Sequence, residues 1–190
     1  MKKRISEIFE ESIRVKTKVL EDQIDIIDQI ANLVIQCLKG GAKVLICGNG
    51  GSAADSQHIA CELVGRFRMD RSPLPAIALS TDTSVLTSLA NDYSYDQVFE
   101  RQVLALAKKD DLLIAISTSG NAKNVIRAAE AAKGLGTKTV AFTGKDGGEL
   151  ARITELSFKV PSDKTPRIQE SHITAAHAIC EIVEKELFGK

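Results

Sequence analysis

Apolar positions from Met1 to Leu38 recur at helical spacing. Ile5, Ile8, Phe9, Ser12 and Ile13 share one stripe; Val19, Ile24, Ile27, Ile30, Ala31, Val34 and Leu38 continue the rhythm after an offset around Glu21 to Gln23. No Pro or Gly interrupts this stretch before Gly40, so the pattern predicts two helices, or one with a break near that offset. The pattern then changes. Short apolar runs at Val44–Cys47, Ala76–Leu79, Leu112–Ile116, Thr139–Phe142 and Leu156–Val160 read as strands. The first of these has the unbroken apolar character of a strand buried on both faces.

Helical segments separate the strands: Ala53 onward, Ser84–Ala90, Gln97–Ala107 capped by Asp96, Lys123–Leu135, a short turn over Glu149–Ile153, and a long final helix over Arg167–Leu187. Pro73 and Pro75 mark one loop, and Pro161 and Pro166 bracket another. Strands alternating with helices predict an α/β fold, a three-layer α/β/α sandwich around a five-stranded parallel sheet. There is no repeat and no linker, so residues 1–190 read as one domain: an α/β core over 40–190 behind an N-terminal helical segment, 1–39. That segment has little of its own domain to cover, and part of its apolar face is expected to pack against another subunit.

The stretch Lys43–Arg66, KVLICGNGGSAADSQHIACELVGR, combines two chemical signals. Gly48, Asn49, Gly50 and Gly51 follow the first strand, and Ser52 stands where a helix N-cap belongs. Strand, glycine turn and helix start aim backbone N–H groups at an anion. Such a turn also closes ordinary βα units, and GNGG is neither the full dinucleotide fingerprint nor a P-loop. On the helix, His58 and Glu62 are four apart and share a face, as an ion pair or as part of a metal or acid–base site.

The third strand runs into Ser117, Thr118, Ser119, Gly120 and Asn121, a run of hydroxyls at a helix start. It suits phosphate oxygens without positive charge, and equally serves as a capping cluster. In a parallel α/β sheet this loop and Asn49–Ser52 lie on the same rim, at the carboxyl ends of the strands. On the final helix, Gln169, Ile173, His177 and Cys180 fall in one stripe, with His172 off to the side as a structural or solvated residue. His58, Glu62, Gln169 and His177 together have the chemistry of a zinc set: two imidazoles, a carboxylate and a weak amide oxygen. Spacing does not say whether the two helices meet.

Composition narrows the classes. Basic and acidic residues balance at 25 each, which gives no electrostatic footprint for nucleic acid or an anionic membrane. Cys37, Cys47, Cys61 and Cys180 form no CxxC pair and are expected as buried, reduced thiols. No signal-like or membrane-length apolar run occurs, so a soluble, cytoplasmic protein is expected.

The motifs CGNGGSAADSQHIACELVGRF, LPAIALSTD, AND, ISTSGN, TGKDGGELA and PRIQESHITAAHAICEIVE resemble, over essentially the whole chain, the SIS (sugar isomerase) domain of bacterial phosphoheptose isomerases. The resemblance implies flavodoxin-like strand order and an enzyme that interconverts sedoheptulose 7-phosphate and D-glycero-D-manno-heptose 7-phosphate. That reaction leads towards ADP-heptose for lipopolysaccharide core, or GDP-heptose for capsule and S-layer glycans. It further implies a homotetramer with one zinc ion per subunit. On the family pattern His58, Glu62, Gln169 and His177 bind the metal; for the proton transfer that such a reaction needs, Glu62 is expected as the base and His177 as its acid–base partner. Ser52, Ser117, Thr118 and Ser119 hold the phosphate with the backbone of Asn49, Gly50 and Gly51. Asn91 and Asp92 contact the sugar, and Glu62 and Gln169 also touch substrate. Two positions depart from the pattern: Ala122 replaces a serine that touches phosphate in many relatives, and Pro166 replaces an aspartate found near the site in some. Some close SIS relatives instead bind the replication initiator protein without catalysis, and a sugar-phosphate sensor is a further reading; retention of His58, Glu62, Gln169 and His177 together favours the enzyme.

Overall fold

A computed structural model describes residues 1–189. The elements in chain order are α1 (Lys2–Asp22), α2 (Ile24–Lys39), β1 (Val44–Gly48), α3 (Gly51–Val64), β2 (Ala76–Ala78), α4 (Thr83–Asp92), α5 (Glu100–Leu106), β3 (Leu112–Ser117), α6 (Lys123–Gly134), β4 (Lys138–Gly144), α7 (Leu150–Ile153), β5 (Leu156–Val160) and α8 (Thr165–Phe188). A 3-10 turn, Tyr95–Gln97, precedes α5.

The five strands form one parallel sheet in the order β2-β1-β3-β4-β5. This is the flavodoxin-like order, with its reversal between β1 and β3. Alternate strand residues feed two separate cores. Val44, Ile46, Leu112, Ile114, Ile116, Val140, Phe142, Phe158 and Val160 pack with α2, α3 and α8. Leu45, Cys47, Leu113, Ala115 and Ala141 face the other way, onto α5, α6 and α7. Every residue of β1 and β3 is buried, which is why their sequences carry no polar alternation. The helices that follow β1 and β3 thus lie on opposite faces, and their leading loops open onto the crevice at the switch point.

Several boundaries differ from the sequence expectation. Asp96 does not cap a helix over Gln97–Ala107: it lies in the 3-10 turn, and regular α5 starts only at Glu100. Asn91 and Asp92 belong to α4, which runs two residues past the expected end at Ala90. Pro166 belongs to the first turn of α8, not to the preceding loop; proline is tolerated there because that N–H has no intrahelical acceptor. The offset after Glu21 is a real break at Gln23, between α1 and α2. Cys37, Cys47 and Cys180 are buried free thiols, but Cys61 is exposed, because it lies on the outer side of α3 from Ile59, Ala60 and Leu63. Among the described residues no helix is long and apolar enough to cross a membrane.

Candidate active site

The β1–α3 turn is built by its glycines. Gly50 has φ of +55° and stands at the N-cap of α3, a place where a side chain would be strained. Ser52, expected at that cap, lies one residue into the helix, buried, with its N–H bonded to the Asn49 carbonyl at 3.0 Å. The cap moved because the left-handed turn needs glycine, and the N–H groups that open α3 have no intrahelical acceptor. A Cβ on Gly51 would collide with the Gln169 carboxamide. The second turn of α8 therefore lies directly on the head of α3.

The β3–α6 loop stands beside it. Ser117 is buried at the end of β3, Thr118 is half-buried and Ser119 exposed. Ser119 Oγ accepts the Asn121 N–H at 3.2 Å, which leaves its own proton to donate. Ala122, the N-cap of α6, offers no side-chain bond.

Asn49 and Asn124 lock the two loops together. Asn49 Nδ2 donates to Asn124 Oδ1 at 2.8 Å, and Asn124 Nδ2 donates to Asn49 Oδ1 at 2.9 Å. Tyr95 adds a hydroxyl bond to Asn49 Oδ1 at 3.2 Å. That bond ties in the segment just after Asn91 and Asp92, which are exposed at the end of α4 and joined at 2.9 Å. Sequence reading missed both Asn124 and Tyr95. An asparagine in the first turn of α6 has no local signature, and its partner lies 75 residues away.

The second cluster lies further along the same two helices. His58 Nε2 is 3.1 Å from Glu62 Oε1 and 3.3 Å from His177 Nε2. One donor atom from each of the three residues lies within 4.8 Å of the others. Two imidazole nitrogens and a carboxylate oxygen converging this closely, with both rings edge-to-face at 4.9 Å, fit a divalent cation of borderline softness. Gln169 meets α3 at Gly51, about two turns before His177 on α8. The helices thus run alongside in one direction, with Gln169 level with the β1–α3 turn and His177 level with His58.

Two further titratable groups lie on the same two helices. Burial raises the Asp55 carboxyl above its ordinary range, opposed by charge on His58, and its Oδ2 has no partner. His172 lies between Phe142 and Phe158 and hydrogen-bonds the Thr143 carbonyl through Nε2 at 3.0 Å; burial pushes its pKa down to about 4. It is therefore a neutral core residue, the structural alternative of the two.

The SIS domain family model matches residues 7–144. A phosphoheptose isomerase of Clostridium acetobutylicum is 55% identical over 192 residues, covering 100% of this chain and 98% of that protein. One from Aquifex aeolicus is 54% identical and covers 97% of each. The solved structure of a phosphoheptose isomerase from Neisseria gonorrhoeae superposes with a TM-score of 0.92 at 44% identity, covering 97% of this chain and 98% of that one.

Proposed function

Because the chain belongs to the SIS-domain family of phosphoheptose isomerases, we propose that it is an aldose–ketose isomerase interconverting sedoheptulose 7-phosphate and D-glycero-D-manno-heptose 7-phosphate. The observation that carries this reading is the convergence of His58, Glu62 and His177 along the two helices that meet, Gly51 against Gln169, at the β1–α3 turn. Relatives at this identity and coverage favour the enzyme over the initiator-binding regulator.

Two functions are needed: a grip on phosphate, and proton transfer between C1 and C2. The N–H groups at Gly50 and Gly51, with the Ser52, Ser117, Thr118 and Ser119 hydroxyls, would hold the phosphate. That grip fixes the register of the sugar and lowers the entropic part of the barrier. Asn91, Asp92 and Gln169 would position the hydroxyls between. Glu62 takes the proton from C1 of the ketose while His177 supplies one to the C2 oxygen, giving a cis-enediol. Return of a proton to C2, with loss of the O1 proton to His177, completes the aldose. Glu62 Oε1 faces His58, and Oε2 has no hydrogen-bond partner among the described residues, so the two oxygens divide the tasks. Pro166 carries no proton, so acid–base work stays with Glu62 and His177.

Zinc is the metal this donor set favours; His58, Glu62 and His177 would hold it, with Gln169 as a fourth donor, and it would supply Lewis acidity to the C1 and C2 oxygens. A homotetramer follows the same reading: Ile5, Phe9, Ile13, Leu20 and Ile24 leave an apolar stripe exposed along α1 and the start of α2. The phosphorylated substrate and the free thiols fit a cytoplasmic enzyme at the head of an activated-heptose pathway.

Glu62→Gln tests the reading. The folded variant is expected to lose at least ~100-fold in kcat, the usual scale for an acid–base group. Near-normal turnover would remove Glu62 from the chemistry.

A further inference from the structure

Beyond Val64 the chain leaves α3 and crosses to β2 through residues 65–75. This loop is moored to α8 by one buried carboxylate. Glu184 accepts three consecutive backbone N–H groups, from Phe67 at 3.0 Å and from Arg68 and Met69 at 2.8 Å each. Its fourth bond, at 3.1 Å, comes from Arg71 Nε. The side chains of Arg71 and Glu184 are 2% and 3% exposed. Burial pushes the Glu184 carboxyl upward, but the four N–H donors outweigh it and hold the group below the usual carboxylate range.

The other nitrogens of Arg71 reach back to α3. Nη2 donates to the Glu62 carbonyl at 2.9 Å, and Nη1 to the Leu63, Gly65 and Ser72 carbonyls at 2.8, 3.2 and 3.0 Å. The guanidinium thus satisfies carbonyls at the end of α3 that have no intrahelical donor. One end of the pair holds the backbone of Glu62. The other lies seven residues after His177 on the same face of α8. The loop held between them lays the Phe67 ring 5.7 Å from the His177 ring. Through this loop the pair links the two donor-bearing helices: Glu184 holds it from α8, and Arg71 returns it to the last carbonyls of α3.

We propose that the buried Arg71–Glu184 pair is a positioning device for the His58–Glu62–His177 group, setting the separation of α3 and α8 there and hence the affinity and coordination geometry for a divalent cation. This rests on the reading that the group binds a metal. Neither residue touches a donor side chain, so both act through backbone and packing. Lysine at position 71 keeps the charge but cannot span Glu184 and four carbonyls at once.

The test uses the full chain and cobalt(II) as a probe of geometry through its visible absorption, with affinity from chelator competition. Arg71→Lys and Phe67→Leu are compared with wild type, each shown folded by circular dichroism. Wild type is expected to bind one cobalt per chain. Each variant should bind it roughly 10- to 100-fold more weakly, the scale for residues behind metal ligands, with an altered spectrum and unchanged affinity for inorganic phosphate. Folded variants with wild-type cobalt affinity and spectrum would overturn the positioning role, even if they melted earlier. A wild-type chain that takes up no cobalt would overturn the metal reading itself, and the inference with it.

Discussion

His172 and His177 lie five residues apart on one helix and have opposite environments. His172 is sealed between two phenylalanines, while His177 is half-buried against His58. Helical angles separated them in the sequence, because only His177 shares the Gln169 stripe. The same angles placed His58 and Glu62 together. Arg71, Glu184, Asn124 and Tyr95 were not legible, because their partners are distant in sequence and buried polar pairing leaves no periodic trace. The His172 environment has a consequence for stability. Its folded pKa is about 4 against an ordinary 6.5, so the unfolded chain takes up the proton first. Its contribution is complete above pH 6.5 and is lost as pH falls from 6.5 towards 4, by about 3 kcal/mol in all. Thermal melts across that range are expected to show Tm falling with pH in wild type and a flatter profile in His172→Gln; equal slopes would contradict a buried neutral histidine.

At the scale of elements, apolar segments were enough to find all five strands; β1 and β3, covered on both faces, are unbroken, while edge strands β2 and β5 carry exposed positions such as Ile77 and Lys159. Turn detail was harder. Serine is the commoner N-cap, yet the left-handed backbone at Gly50 displaced the cap and set Ser52 inside α3. What spacing could not supply was the relation of α3 to α8. Their parallel alignment depends on Gly51, where the absence of a side chain lets Gln169 lie on the turn. Gly51→Ala should push the heads of the two helices apart and disturb the anion loop. Steady-state kinetics are expected to show kcat/KM lowered by about 10- to 100-fold, the cost of a displacement near 1 Å in a positioned substrate. An unchanged kcat/KM would mean that this close approach does not position the substrate.

Across the whole molecule, two loops, one helix pair and one sheet reversal place the β1–α3 turn and a three-donor group in line. The N-terminal helices lie outside that arrangement. α1 buries only Val15 and Val19, while Phe9 and Ile13 remain more than 60% exposed. Their helical stripe was legible in sequence; what covers it was not, because one chain's pattern names no partner. On the proposed homotetramer, Phe9→Ser combined with Ile13→Ser should shift the assembly to smaller species in light scattering, with the melting of the α/β core little changed. A tetramer that persists would place the interface elsewhere. The most direct measurement is turnover itself: sedoheptulose 7-phosphate incubated with zinc-supplemented protein and followed by NMR. The account predicts that resonances of the aldose 7-phosphate grow in to an equilibrium mixture. A ketose that stays bound or free but unconverted would contradict it.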